Sequence, residues 1–300
     1  MALHSNTAGR VLITGQTGFT GRYVAESLRA IGLQPVGASE ANPRFDLANP
    51  DEIASTISAV QPDYVIHLAA ISFVAHADQV GFYQVNTVGT GHLLEALSAL
   101  AQKPRKVILA SSANIYGNVR EGKIDESVEP QPANHYGCSK LSMEKIAAQY
   151  FDRLPVLITR PFNYTGVGQA PNFLIPKIVR HFAQRAPEIE LGNLDVVRDF
   201  SDVRMVAEAY ARLLLSDAHS AVVNICSGEG HSLRWILNAC GKLTDHTPSV
   251  VVNPAFVRKD EVRVLIGSDA KLRSLVPLHA PFPLEETLQW MLASQRLAKS

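Results

Sequence analysis

The chain has 300 residues, enough for one large α/β domain or a domain carrying a smaller lobe, with a core that needs no staples. Lys plus Arg and Asp plus Glu both number 28, so no overall field recruits nucleic acid or an anionic membrane surface. Cys138, Cys226 and Cys240 are scattered, odd in number and free of a C-x-x-C, which points to thiols in a reducing cytoplasm and away from a disulfide framework or zinc site.

The polar N-terminus MALHSNTAGR reads as a loose tail with neither a signal peptide nor a spanning helix. Apolar runs follow at 11–14 (VLIT), 33–38 (LQPVGA), 64–70 (YVIHLAA), 106–112 (KVILASS) and 156–162 (VLITRPF). Between them, 20–31, 86–101 and 139–151 place apolar side chains at i, i+3, i+4 and i+7, the spacing of helices with one buried face. Strands apolar on both faces and joined through helices predict a Rossmann-type, doubly wound parallel sheet over residues 1–163. After Asn163 come a Gly/Pro/Asn loop (YTGVGQAPN), a helix near 173–184 and the segment IELGNLDVVRDFSDV. The chain is expected to return to the sheet at about 201–228, leaving 164–200 and 229–300, with helices at 231–243 and 284–296, as a smaller substrate-binding lobe.

Directly after the first strand, Gly15-Gln16-Thr17-Gly18-Phe19-Thr20-Gly21 opens a helix. Missing side chains bring backbone N–H groups and the helix N-terminus close to a pyrophosphate, whose charge the helix dipole favours. The second strand ends at Ser39, where a carboxylate would bind the ribose hydroxyl of NAD; its absence favours NADPH, while Glu40 and the lack of an adjacent Arg leave NADH possible. Asp46-Leu47 either meets the adenine edge or caps the helix of NPDEI.

Tyr136 and Lys140 lie four residues apart on a helix and share one face, a phenol whose pKa the ammonium and an oxidised nicotinamide lower together. Such a phenol exchanges a proton near neutral pH. Ser112 ends a strand at the carboxyl edge of the sheet, where it reaches a reacting oxygen. His67, His76, His135 and His181 show no metal-ligand spacing, so no metal is expected.

Together T-G-x-T-G-F-T-G (14–21), S-S-A-N-I-Y-G (111–117), Y-x-x-x-K (136–140) and R-P-F-N (160–163) resemble the extended short-chain dehydrogenases acting on nucleotide sugars, over nearly the whole chain. The resemblance implies that Ser112 and Tyr136 hold the sugar O4, and that Lys140 supports Tyr136 and the nicotinamide ribose. It places Leu68, Ala69, Ala70, Asn86, Pro161 and Phe162 on the cofactor side, and Ser72 and Asn163 on the substrate side. The family's 4,6-dehydratases carry an acid directly after the Ser/Thr position, and its fucose synthases a Cys where this chain has Asn114. Ala113 and Asn114 are neither, which disfavours dehydration and coupled epimerisation and leaves 4-keto reduction or simple 4-epimerisation.

Leu191-Gly192-Asn193-Leu194-Asp195 with Arg198-Asp199-Phe200 is similar to the nucleotide-contacting segment of the family members that use GDP-mannose derivatives, with Arg258, Glu261 and Lys177 matching further nucleotide positions. The expected reaction is therefore NAD(P)H-dependent reduction of GDP-4-keto-6-deoxy-D-mannose to GDP-D-rhamnose. A reductase giving GDP-6-deoxy-D-talose and a 4-epimerase with tightly held NAD are the alternatives. The resemblance also implies a homodimer through a four-helix bundle of segments 79–101 and 136–151.

Overall fold

The computed structural model describes residues 9–72, 78–118, 122–256, 263–279 and 282–297. In chain order the first half comprises β1 (Arg10–Thr14), α1 (Phe19–Ala30), β2 (Gln34–Gly37), a single turn α2 (Ala38–Ala41), α3 (Pro50–Val60) and β3 (Tyr64–His67). A short α4 (Gln79–Phe82) runs through a π-helical segment, Tyr83–Gly89, into α5 (Thr90–Ser98); β4 (Lys106–Ala110), α6 (His135–Ala148) and β5 (Val156–Pro161) follow. The remainder is β6 (Asn163–Thr165), α7 (Leu174–Ala183), β7 (Glu188–Leu191), β8 (Val197–Asp202), α8 (Val203–Leu215), β9 (Ala221–Ile225), β10 (Gly230–Ser232), α9 (Leu233–Thr244), β11 (Ser249–Val252), β12 (Val264–Leu265), α10 (Ala270–Leu275) and α11 (Leu284–Leu297).

The main sheet is parallel in the order β2-β1-β3-β4-β5-β9, so the direction of winding reverses beside β1. Its central strands are sequestered from water on both faces: Val11, Leu12, Ile13, Val65, Ile66, Val107, Ile108 and Leu109 are fully buried. One face packs Val24 and Leu28 of α1 against Val206, Tyr210 and Leu213 of α8. The other packs Ile53 and Ile57 of α3, Leu93 and Leu97 of α5, and Met143 and Ala147 of α6. Each such Val, Leu, Ile or Met side chain contributes about 1.5–3 kcal/mol of burial. A third apolar cluster, with Ile178, Phe182, Ile189, Ile236 and Leu288, joins α7, α9 and α11 away from the sheet. Among the described residues no helix is long and apolar enough to cross a membrane.

Three local readings of the sequence are corrected. The run at 64–70 leaves the sheet after His67, so Leu68-Ala69-Ala70 forms a half-buried rim at the carboxyl edge. The helix expected from 139 begins at His135, because Asn134 caps it through a bond from Gly137 N–H to Asn134 Oδ1 (2.9 Å); Tyr136 thus lies in the first turn, too polar and small-residue-rich for periodicity to register. The second strand stops at Gly37, and Ser39 rides on the α2 turn instead of ending the strand.

Candidate active site

The glycine loop depends on missing side chains. Gly15 has φ +76°, and a β-carbon there would lie 2.9 Å from Ala69 N; one on Gly21 would lie 2.2 Å from Gly15 O. The first turn of α1 has no side-chain cap and no acid, so its N–H groups and positive dipole end are open to an anion. Thr17 and Gly18 are exposed at this mouth, while Thr20 Oγ1 lies 2.8 Å from Tyr164 Oη and Phe19 stacks on Tyr164 with ring centroids 6.1 Å apart. These features fit the pyrophosphate of a dinucleotide. Asp46 Oδ1 accepts from Ala48 N–H (2.9 Å), and Asn49 caps α3. Leu47 is buried beneath Gly89, where a β-carbon would meet Leu47 Cβ at 2.9 Å, so its side chain packs into the core.

A chain of buried hydrogen bonds, which no sequence motif announced, ties the rim together. Ala69 N–H donates to Thr14 Oγ1 (3.1 Å), which lies 2.7 Å from His67 Nδ1; His67 Nε2 lies 2.9 Å from Thr90 Oγ1, which donates to Asn86 O (2.8 Å). Because the Thr90 proton goes to Asn86, His67 carries its own proton on Nε2 and accepts Thr14 O–H at Nδ1. Burial, reinforced by the Lys140 charge, pushes the His67 pKa down to about 3 and keeps it neutral. Asn86, aimed from the π-helical segment, accepts from Ile71 N–H (2.9 Å) and donates to Ile71 O (3.1 Å) and Ser139 Oγ (3.1 Å). The loop after β3 is thereby pinned to α6.

Ser112 and Tyr136 are both buried just beyond the end of β4, with the Ser112 hydroxyl near enough to the phenol to favour its anion. Ser112 Oγ also accepts from Asn114 N–H and Asn114 Nδ2, each at 3.2 Å. With its lone pairs engaged there, its proton is directed to the Tyr136 side, where it stabilises a negative oxygen. Burial pushes Tyr136 up to about 12, against the Ser112 bond, with Tyr164 adding to the rise. The expectation that Lys140 lowers the phenol is corrected: desolvation dominates, and Tyr136 is a protonated acid at neutral pH. Lys140, one turn along α6, donates to Ala110 O (2.7 Å); burial brings it down to about 8, opposed by Glu144.

Beneath this set, Arg160 forks onto Glu144 (Nε–Oε1 3.0 Å, Nη2–Oε2 2.7 Å) and donates to Tyr116 Oη (2.9 Å), which donates to Asn224 Oδ1 (2.7 Å). This buried network locks α6 to β5 and β9. Pro161 ends β5, and Phe162 is buried against Tyr116 and Cys226. Asp199, absent from the candidate residues, is fully buried and accepts from Ser227 N–H (2.9 Å), Ser227 Oγ (2.7 Å), Gly228 N–H (2.8 Å) and Gly267 N–H (3.3 Å). It clamps the loops after β9 and before α10 onto β8.

The substrate-side candidates are more dispersed. Ser72 is exposed beside the rim, and Asn163 Nδ2 reaches Asp199 O at 3.4 Å. Arg198 donates to Val197 O (2.9 Å) and Arg263 O (3.2 Å). Lys177 donates to Glu190 O (2.7 Å) and lies 4.5 Å over the Phe256 ring, beside Gly192. Arg258 and Glu261 fall outside the described residues. His135 is exposed and meets Tyr83 Oη at 3.1 Å. Among the described residues no group of three His, Cys, Asp or Glu is arranged to hold a metal ion.

Comparison with known proteins places this geometry. A family model described as GDP-mannose 4,6 dehydratase matches residues 12–291. The GDP-6-deoxy-D-talose 4-dehydrogenase of Aggregatibacter actinomycetemcomitans is 36% identical over 89% of this chain and 91% of its own length. The GDP-6-deoxy-D-mannose reductase of Pseudomonas aeruginosa is 33% identical over 95% and 96%. Among solved structures, RMD from Pseudomonas aeruginosa complexed with NADPH superposes with TM-score 0.87 at 31% identity, covering 97% of this chain and 99% of that one. The Thermus thermophilus UDP-glucose 4-epimerase complex with NAD gives TM-score 0.82 at 28% identity, covering 96% and 99%.

Proposed function

The chain belongs to the GDP-mannose 4,6-dehydratase family, and we propose that its own reaction is NAD(P)H-dependent reduction of the 4-keto group of GDP-4-keto-6-deoxy-D-mannose, giving GDP-D-rhamnose. The observation that carries this reading is the Ser112–Tyr136 pair with Asn114 donating to Ser112 where a dehydratase needs an acid. Dehydration requires a group that gives and takes protons at C5 and C6, and neither Ala113 nor Asn114 does so. Reduction requires one proton donor, and Tyr136 is protonated at neutral pH. The GDP-6-deoxy-D-mannose reductase relative supports the substrate class. The GDP-6-deoxy-D-talose 4-dehydrogenase relative favours a second reading with the same chemistry and the opposite C4 face, yielding GDP-6-deoxy-D-talose.

A reduced nicotinamide, when bound, would supply the hydride. Tyr136 delivers its proton to O4, and Ser112 directs its O–H at the same oxygen as charge develops. Lys140, anchored on Ala110 O, would hold the nicotinamide ribose, while Phe82, its ring 5.9 Å from that of Tyr136, helps keep water from the phenol. Gly15, Thr17, Gly18, Phe19, Thr20 and Gly21 cradle the pyrophosphate, and Leu68, Ala69, Ala70, Asn86, Pro161 and Phe162 line the rest of the cofactor groove. Asp46 and Leu47 border the adenine, Leu47 with its side chain anchored in the core. Ser72, Asn163, Lys177, Arg198, Arg258 and Glu261 form the nucleotide-sugar side.

The cofactor unit spans residues 1–163 with the returning segment 201–228, and the substrate lobe spans 164–200 and 229–300; the separate apolar cluster of α7, α9 and α11 supports this division. The enzyme acts in the cytoplasm as a homodimer in which α4–α5 and α6 of each copy form a four-helix bundle, a reading supported by Val80 and Val88, exposed at 73% and 41%. The test is nicotinamide absorbance with purified enzyme and GDP-4-keto-6-deoxy-D-mannose made in situ by a dehydratase, followed by identification of the sugar. Stoichiometric oxidation with a 6-deoxy sugar product supports the reductase. Absence of oxidation, with cofactor retained through purification, moves the assignment to a 4-epimerase.

A further inference from the structure

Phe19, Thr20 and Tyr23 occupy the first turns of α1, the helix that the glycine loop opens, and their side chains meet the segment 164–167, where the chain passes from the cofactor unit into the substrate lobe. Thr20 Oγ1 lies 2.8 Å from Tyr164 Oη, the Phe19 and Tyr164 rings stack with an interplanar angle of 11°, and Tyr23 Oη donates to Val167 O at 2.7 Å. The far side of the segment has no slack. A β-carbon on Gly166 would lie 2.5 Å from Val203 Cγ1 and 3.2 Å from Trp290 Cζ3, and the Trp290 ring meets that of Tyr23 edge to face at 6.2 Å. Residues Asn163, Tyr164 and Thr165 form β6, paired in register with Phe200, Ser201 and Asp202 of β8, the strand that carries Arg198. Tyr164 therefore touches the first turn of α1 through its side chain and the substrate-side strands through its backbone.

We propose that Tyr164 is a positioning residue that couples the two ligand sites: dinucleotide bound at the α1 N-terminus strengthens binding of the nucleotide sugar, and the nucleotide sugar strengthens binding of the dinucleotide by the same factor. The pyrophosphate draws on the N–H groups of the turn that carries Phe19 and Thr20. Fixing that turn fixes the tyrosine, and with it Asn163 and the β6–β8 ladder. Whichever ligand arrives second meets a partner already ordered and loses less conformational entropy on binding. The inference rests on the proposed dinucleotide and nucleotide-sugar sites.

The test is calorimetric titration of the purified full-length protein with GDP-D-mannose, alone and with saturating NADPH, or NADH where that binds more tightly. GDP-D-mannose carries no ketone for a reduced nicotinamide to reduce, so the coupling is read without turnover. Wild type binds the sugar nucleotide at least about fivefold more tightly when the dinucleotide is present. Tyr164→Phe keeps the ring on Phe19 and loses only the hydroxyl; it binds each ligand alone within a few-fold of wild type, while the coupling factor falls below about twofold. Adding Tyr23→Phe, which cuts the tie to Val167 O, removes what coupling remains. A tyrosine with a merely structural role would weaken each ligand alone and leave the factor unchanged; that result, or no coupling in wild type, overturns the inference. If neither dinucleotide or no sugar nucleotide binds wild type, the site reading itself falls and this inference with it.

Discussion

Asn114 Nδ2 and Ser112 Oγ lie 3.2 Å apart, with the Asn114 N–H at the same distance, so one residue fills the acceptor positions of the serine from two directions. Asn114→Ala therefore frees the Ser112 rotor and lowers kcat by about tenfold to a hundredfold, a typical cost of losing alignment. Asn114→Asp lowers it at least as far, because a carboxylate takes the Ser112 proton for itself. Steady-state kinetics with cofactor KM unchanged in both variants checks this prediction.

Tyr136→Phe removes the only proton that the Ser112–Tyr136 pair passes to O4. Turnover falls by at least about a hundredfold to ten-thousandfold. Cofactor affinity stays within a few-fold of wild type, since burial of the ring beside Phe82 is retained. Retained turnover would sink the catalytic assignment.

Neutral His67 makes stability pH-dependent. Its folded pKa, about 3, lies below the unfolded value of 6.5, so between them the unfolded chain binds the extra proton and stability falls as pH drops through that window. The full span is on the order of 5 kcal/mol. Denaturant midpoints of wild type decline from pH 6.5 toward acid, and His67→Gln, which cannot take up that proton, shows a shallower slope.

Lys140 follows the same rule at higher pH. Its pKa is lowered from 10.5 to about 8, so its ammonium is present below that pH and lost above it. Binding of the anionic dinucleotide accordingly weakens as pH rises through about 8, while Lys140→Met binds weakly and shows a flatter profile there. Folding stability moves the other way, rising between 8 and 10.5, because only the unfolded chain is protonated in that interval.

Glu144→Gln leaves the Arg160 guanidinium buried without its bidentate partner. Breaking such a pair costs about 3–5 kcal/mol, seen as a lowered Tm by calorimetry. The double replacement Glu144→Leu with Arg160→Met recovers part of that loss. Failure of the double variant to exceed Glu144→Gln would show that the pair is not the origin of the effect.

The sequence by itself determined whatever is encoded in short spans. Apolar runs marked five strands of the main sheet, three glycines fixed the close approaches of Gly15 and Gly21, and the four-residue spacing of Tyr136 and Lys140 put them on one helix face. These are local properties, set by backbone sterics and helical periodicity. Asp46 and the burial of Leu47 were ambiguous because burial depends on what covers a residue, here Gly89 of a distant segment.

Only the tertiary structure decided the partners. His67 is 53 residues from Thr14 and 23 from Thr90, Arg160 is 16 from Glu144, and Asp199 is 68 from Gly267; each pair meets because the sheet order β2-β1-β3-β4-β5-β9 and the clamped loops bring them together. The same holds for Tyr164, whose distance from Thr20 along the chain, 144 residues, says nothing of the contact between them. A buried polar group must find a partner somewhere, but which partner it finds is a property of strand order and turn geometry, quantities that no window of sequence contains.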